Sequence, residues 1–348
     1  MNRWEGPRSI LDIGGLDIAT LGKIIGASVK SAVPPFGFDP LAASQAELSA
    51  LWFPTRPDPA VQPASYAFWQ EIFAPPLEFE AFDFRFLALF TTQSRGFFGQ
   101  LPRRQTSLNW SGAYITPRDG TVFSSIRAKW QVPTPTVPTG GSAGDKYRSS
   151  TWIGFDGQRR YYRSTLPQIG TAQDIDPVTG VPTDSFVAWW QWWVRDDTGQ
   201  AYPTTLVAPK MHAGDLVMCL MQVAADRAGV FFVIRNLSTN RAVHFFQGAP
   251  PDDWGQPFKV PGATAEWVME RSADAPDPTP LQLPDYGTVD FRHCGATAIN
   301  LNSGATVERS LSAARLIDMY VVRQNPERTE KISIAKPLKK REFLTHFQ

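Results

Sequence analysis

From Asn109 onward the chain is written in short segments of alternating apolar and polar residues, cut at close intervals by turn residues, and this limits the fold more than any other feature. A period of two puts one side of each segment into a core and the other toward water or a second layer. An all-β, antiparallel sandwich follows as the expected architecture. The clearest strands are expected over 122–132, 148–155, 186–194, 215–224, 230–236, 242–247, 264–271 and 286–291, with others over 315–323 and 331–334. Turns fall at Arg118-Asp119-Gly120, Thr179-Gly180, Asp226-Arg227-Ala228-Gly229 and Ser238-Thr239-Asn240, where the residue types tolerate bent backbone.

Residues 1–105 have a different texture, and the chain is read as an N-terminal extension over 1–105 followed by a sandwich domain over 106–348. Ile18, Leu21, Ile24, Ile25 and Val29 recur at helical spacing, and Ser44 with Glu47 forms a capping box ahead of Leu48 and Leu51, so short helices are expected here. Prolines are interleaved with phenylalanines from Pro34 to Phe98. Proline limits regular structure while the aromatics still demand burial, which suits an extension wrapped over another domain's surface.

Composition excludes several function classes. A net charge of +1 with mixed signs along the chain leaves no basic footprint for nucleic acid. No uncharged apolar run approaches the length of a membrane span, and charges scattered through residues 1–30 break up any signal-peptide core. Two cysteines, Cys219 and Cys294, are too few for a disulfide scaffold, although a single bridge between them stays open.

Two residues carry the candidate chemistry. Glu266 sits among apolar and aromatic neighbours in Ala265-Glu266-Trp267-Val268-Met269-Glu270, and a poorly solvated carboxyl gains proton affinity useful for acid/base work. Gln168, in Leu166-Pro167-Gln168-Ile169-Gly170, offers a neutral amide for an oxyanion. Trp189, Trp190, Trp192 and Trp193 crowd one strand; alternation puts Phe186, Ala188, Trp190, Trp192 and Val194 on one face and Val187, Trp189, Gln191 and Trp193 on the other. The second face is either a groove that grips an extended peptide or sugar or the second side of a fully buried sheet. The difficulty of satisfying four indole N–H groups in a dry interior favours the groove.

Other strings are weaker. Gly140-Gly141-Ser142-Ala143-Gly144 lacks the strand-to-helix setting of a nucleophile elbow, Asp197-Thr198-Gly199 occurs once where an aspartic dyad needs two, and the four histidines show no metal-ligand spacing. Glu266 and Glu270, four residues apart on one strand, stand about 13 Å apart, beyond the roughly 5–9.5 Å of glycosidase pairs. A more distant carboxylate partner for Glu266 stays open.

Taken in order, Asn109-Trp110-Ser111-Gly112-Ala113, Trp152-Ile153-Gly154-Phe155-Asp156-Gly157, the Gln168 string, Ala188-Trp189-Trp190-Gln191-Trp192-Trp193, Ala213-Gly214-Asp215, Asn236-Leu237-Ser238-Thr239, the Glu266 string and Asp285-Tyr286-Gly287-Thr288-Val289 resemble the glutamic peptidases, or eqolisins. The resemblance runs from Asn109 to the C-terminus. It implies a concanavalin A-like sandwich with the cleft on a concave sheet face, and an endopeptidase without metal or other cofactor that works in acid on a protein or peptide. By it Glu266 is the general base and then acid, Gln168 the oxyanion donor, and Trp152 and Asp156 cleft residues beside Trp189, Gln191 and Trp193. The family carries Glu where this chain has Gln191. The family is also secreted, whereas no signal is visible here, so localisation is left open. Arg103-Arg104 sits where a propeptide would end or is an exposed linker pair, and Lys336, Lys339, Lys340 and Arg341 are read as an edge-strand guard. A monomer is expected, with no nucleic acid or membrane partner. The alternatives are a noncatalytic lectin-like binding module and a glycoside hydrolase on the same sandwich.

Overall fold

The computed structural model describes residues 26–86, 89–90, 103–142, 144–158, 165–176, 178–180, 182, 186–194, 201–206, 208–251, 255–274, 280–323 and 328–348. It is an all-β sandwich whose two sheets are almost wholly antiparallel. The back sheet runs Arg241–Gly248, Gly229–Asn236, Leu216–Val223, Thr121–Gln131, Thr288–Asn300 and Thr306–Arg309. In the front sheet the order is Phe84–Phe86, Ala201–Leu206, Val187–Val194, Thr165–Ile175, Tyr147–Phe155, Ala265–Glu270, Trp110–Ile115, Arg315–Arg323, Arg328–Lys339 and Glu342–Phe347.

One strand belongs to both sheets. Thr288–Asn300 begins beside Glu342–Phe347 in the front and ends beside Thr121–Gln131 in the back, with a register break between Arg292 and Gly295 where His293 takes φ 55°. Such a break bends a strand sharply, and here it closes one side of the sandwich. The expected 286–291 strand is thus the start of a much longer one. Thr165–Ile175, which was not among the expected strands, is buried at nearly every position. Its sequence therefore carries no alternation to read.

The core between the sheets is filled by alternate residues of both, among them Trp130, Trp190, Trp192, Trp267, Phe155, Ile169, Phe232 and Phe245. A second apolar layer covers the outer face of the front sheet and a third the outer face of the back sheet. The third explains the phenylalanines of the N-terminal region. Leu48, Phe53, Phe68, Trp69, Ile72 and Phe73 pack there on Met218, Leu220 and Val233.

Within that layer the Ser44/Glu47 capping box forms as expected and opens the helix Gln45–Ala50. A second helix, Pro63–Ile72, is gripped at both ends by the back sheet. Glu308 accepts the Ser65 N–H at 2.6 Å at its start, next to the buried Arg127, and Arg235 donates to the carbonyls of Ile72, Ala74 and Pro76 at its end. Anion at the N-terminus and cation at the C-terminus both oppose the helix dipole. The helical spacing read over 17–33 lies partly outside the described residues. Its end is not helical: Val29–Lys30 pairs as a strand with Phe246 and Gln247.

An open question about the cysteines is answered and the edge-strand reading of the basic C-terminal residues is corrected. Cys219 and Cys294 are both free, on strands that flank Thr121–Gln131 from opposite sides, so two strand spacings of about 9.6 Å separate them, too far for a disulfide. The basic C-terminal residues guard no edge along Arg328–Lys339, which is paired with strands on both sides. Lys339 and Arg341 instead form ion pairs with Glu342 and Glu308.

Candidate active site

Strand register brings Gln168 and Glu266 into one transverse row. Gln191 pairs with Gln168, Gln168 with Gly154, Gly154 with Glu266, and Glu266 with Tyr114. All these residues project from the outer face of the front sheet, because their neighbours Ile169, Phe155, Ala265 and Trp267 fill the inner core. Gln168 and Glu266 therefore flank a residue without a side chain, with backbones two strand spacings, about 9.6 Å, apart. A Cβ on Gly154 would lie 2.9 Å from the Pro167 carbonyl oxygen and 3.1 Å from the Gln168 Cβ. The glycine keeps the gap between amide and carboxyl open. It stands in the quoted Trp152–Gly157 string, but nothing in the sequence shows what lies beside it.

Glu266 is fully buried. Its Oε1 accepts the Gly157 N–H at 3.1 Å, and among the described residues no group hydrogen-bonds to Oε2. Burial raises its proton affinity well above the ordinary Glu range and the nearby Asp156 carboxylate adds to this, opposed by the Thr264 side chain and the Gly157 and Gln158 N–H groups. On the other side of the gap, Gln168 donates its amide to Gln191 Oε1 at 3.0 Å, which fixes the direction of the amide.

Asp156 lies at the end of the Trp152 strand, fully buried with φ 64°, and its carboxylate receives the N–H groups of Gly262, Ala263 and Thr264. Burial pushes its pKa up to about 6, against those three bonds and the nearby Arg227. Trp152 is one row from the Gln168–Glu266 row, stacked edge-on to Trp110, and gives its indole N–H to Glu270 Oε2 at 2.8 Å.

The tryptophan strand divides as alternation requires, with Trp190 and Trp192 in the core and Trp189 and Trp193 in the outer layer. The outer side is not an open groove. Trp189, Gln191 and Trp193 are buried, and the chain after Glu270 lies on this face, with Ser272 Oγ 2.6 Å from Ser150 Oγ and the short strand Ala273–Asp274 pairing with Leu89–Phe90. Polar side chains satisfy the two inner indoles. Trp190 Nε1 bonds Gln247 and Trp192 Nε1 bonds Thr165, whereas among the described residues Trp189 Nε1 has no partner. Gly140–Gly144 carries no nucleophile elbow: Ser142 lies in an exposed turn and its hydroxyl accepts the Gly144 N–H. Asp197–Gly199 lies outside the described residues. Arg104 is in a strand beside Arg315–Arg323 and is ion-paired with the buried Asp318.

The sandwich thus sets a buried carboxyl and a buried amide on either side of a glycine. The chain matches the peptidase A4 family over residues 108–336 and belongs to that family, the glutamic peptidases. No curated protein matches it. Among solved structures it is similar to the enzymatically active domain of bacteriophage CBA120 tailspike protein 2, at 11% identity and a TM-score of 0.24 over 48% of this chain and 22% of that one. The full-length tailspike protein 2 from Escherichia coli O157:H7 bacteriophage CAB120 is similar at 12% identity and a TM-score of 0.24, over 48% of this chain and 20% of that one. The chain spans about a fifth of the length of these proteins, and so slight a likeness carries no argument. Among the described residues no helix is long and apolar enough to cross a membrane.

Proposed function

We propose that this protein is an endopeptidase in which Glu266 and Gln168 form the reacting pair, on the acid side of neutrality. The observation that carries the reading is their shared row across Gly154. A scissile carbonyl brought over the glycine would meet an amide on one side and a carboxyl on the other. Ionised Glu266 takes a proton from water as the water oxygen bonds to the carbonyl carbon, and the Gln168 side-chain N–H receives the oxyanion. Glu266 then passes that proton to the leaving nitrogen as the C–N bond breaks. A buried carboxyl of raised proton affinity suits both transfers, and a preorganised donor aimed at developing charge contributes on the order of 3 kcal/mol.

Digestion of a denatured protein, followed by mass spectrometry of the fragments from about pH 2 to 7, tests the reading. Internal cleavages that vanish in Glu266→Gln are expected. Absence of cleavage across that range in a folded preparation would replace it with the noncatalytic binding module.

A further inference from the structure

Two of the contacts that hold Glu266 run through Asp156 and its neighbour. The N–H that meets Glu266 Oε1 belongs to Gly157, the next residue. The backbone entering the Glu266 strand is held by the Asp156 carboxylate, whose Oδ2 accepts from Gly262 at 2.8 Å and Oδ1 from Ala263 at 2.5 Å and Thr264 at 3.2 Å. The Asp156 N–H closes the loop on the Thr264 carbonyl at 3.2 Å. With both oxygens taken up by backbone, the carboxylate is built into the turn.

Arg227 supplies the opposite charge from the back sheet. It occupies a left-handed position, φ 64°, in the Asp226–Gly229 turn, donating from Nε to the Val260 carbonyl at 2.7 Å and from Nη2 to the Phe123 carbonyl at 3.0 Å. Gly262 lies between the two charges, with φ 64° and its carbonyl accepting the Phe123 N–H at 2.8 Å. A Cβ on Gly262 would stand 2.4 Å from the Phe123 oxygen and 2.5 Å from Arg227 Nη2, so the guanidinium packs directly on its Cα. Residues 260–264 are thus clamped by an anion from the front sheet and a cation from the back.

We infer that Asp156 and Arg227 are a positioning pair for the reaction, fixing the 260–264 turn so that the Glu266 carboxyl stays in the row with Gln168. The inference rests on the Glu266/Gln168 reading above. It moves Asp156 from contact with substrate to control of the acid/base group. A proton-transferring carboxyl must lie within hydrogen-bond reach of its water, and a displacement of about 1 Å costs up to about 100-fold in rate.

The experiment measures kcat, KM and melting temperature for Asp156→Asn, Arg227→Met and Arg227→Lys on one peptide substrate, with Glu266→Gln alongside. Asp156→Asn replaces one acceptor oxygen by an NH₂ group that faces N–H donors. Its kcat should fall about 10- to 100-fold with KM within about twofold. Arg227→Met should show the same split, and Arg227→Lys should recover part of the lost kcat because it restores the charge. A folded Asp156→Asn with unchanged kcat, or one altered only in KM, overturns the inference. Should Asp156→Asn fail to fold, an Arg227→Met enzyme with wild-type kcat overturns it equally. If Glu266→Gln is itself fully active the underlying reading fails; if it is inactive while Asp156→Asn is fully active, only the positioning role falls.

Discussion

Trp152 and Glu270 are joined by an indole N–H to carboxylate hydrogen bond of 2.8 Å within a layer where both side chains are buried. Asn109 Nδ2 adds a second donor to the same carboxylate at 3.3 Å. Glu270 and Glu266 share a strand and a face, yet the first is bound by side chains that brace the sheet, whereas Oε2 of the second makes no hydrogen bond among the described residues. The first reads as a structural acid and the second as a reactive one.

Substitution separates the two roles. Glu266→Gln should remove proteolysis while leaving the melting temperature near that of the wild type, because the amide cannot take a proton from water. Glu270→Gln should keep most activity and lose about 1–3 kcal/mol of stability, since one of its two donors is left facing an NH₂ group. For the wild type, kcat/KM should begin to fall on the acid side at a pH above the ordinary Glu value of 4.5, because Glu266 is protonated early. Steady-state rates and urea unfolding check all three.

Gln168→Ala should lower kcat by about 100-fold or more while KM changes little, as expected for a group acting on the oxyanion of the transition state. Equal turnover with a raised KM would make Gln168 a binding residue instead.

Gly154→Ala should reduce kcat and cost about 1–3 kcal/mol, because the added methyl meets the Pro167 carbonyl at 2.9 Å and intrudes between Gln168 and Glu266. A variant with wild-type rates would show that the gap is not where substrate sits.

His244 should make the fold sensitive to acid. Its ring stacks on Phe53 at 3.8 Å, Nε2 bonds the Leu51 carbonyl at 2.9 Å, and burial pushes its pKa from 6.5 down to about 4. Above pH 6.5 both folded and unfolded states are neutral. As pH falls from 6.5 toward 4 the unfolded chain takes up a proton that the folded chain refuses, so stability drops through that window by a total of about 3 kcal/mol. Urea titrations at the two ends, compared with His244→Leu, should isolate this contribution.

A chain beginning near Gln105 should be insoluble or unfolded. It would expose Met218, Leu220 and Val233 where Phe68, Trp69 and Ile72 now pack, and leave Arg127 and Arg235 without the partners that the N-terminal region supplies. A soluble and more active truncation would identify residues 1–105 as a removable inhibitory segment.

Period-two alternation settled the fold class from sequence alone, because a half-buried strand must place every second residue in the core. The capping box at Ser44 was legible for a similar reason: its hydrogen bonds close within four residues. The family pattern singled out Gln168 and Glu266. What it left undetermined is their relation, since they reside on strands separated by a third and only register sets them on either side of Gly154. Packing likewise decided the fate of Trp189, Gln191 and Trp193, read as a groove and found buried, because burial of a strand's second face depends on segments distant in the chain. The Asp156–Gly262–Arg227 clamp and the caps on the Pro63–Ile72 helix have no local signature. The clamp joins opposite sheets, the caps come from the back sheet, and both bring in partners more than a hundred residues away; charges so far apart along the chain acquire meaning only when the tertiary fold excludes water from around them.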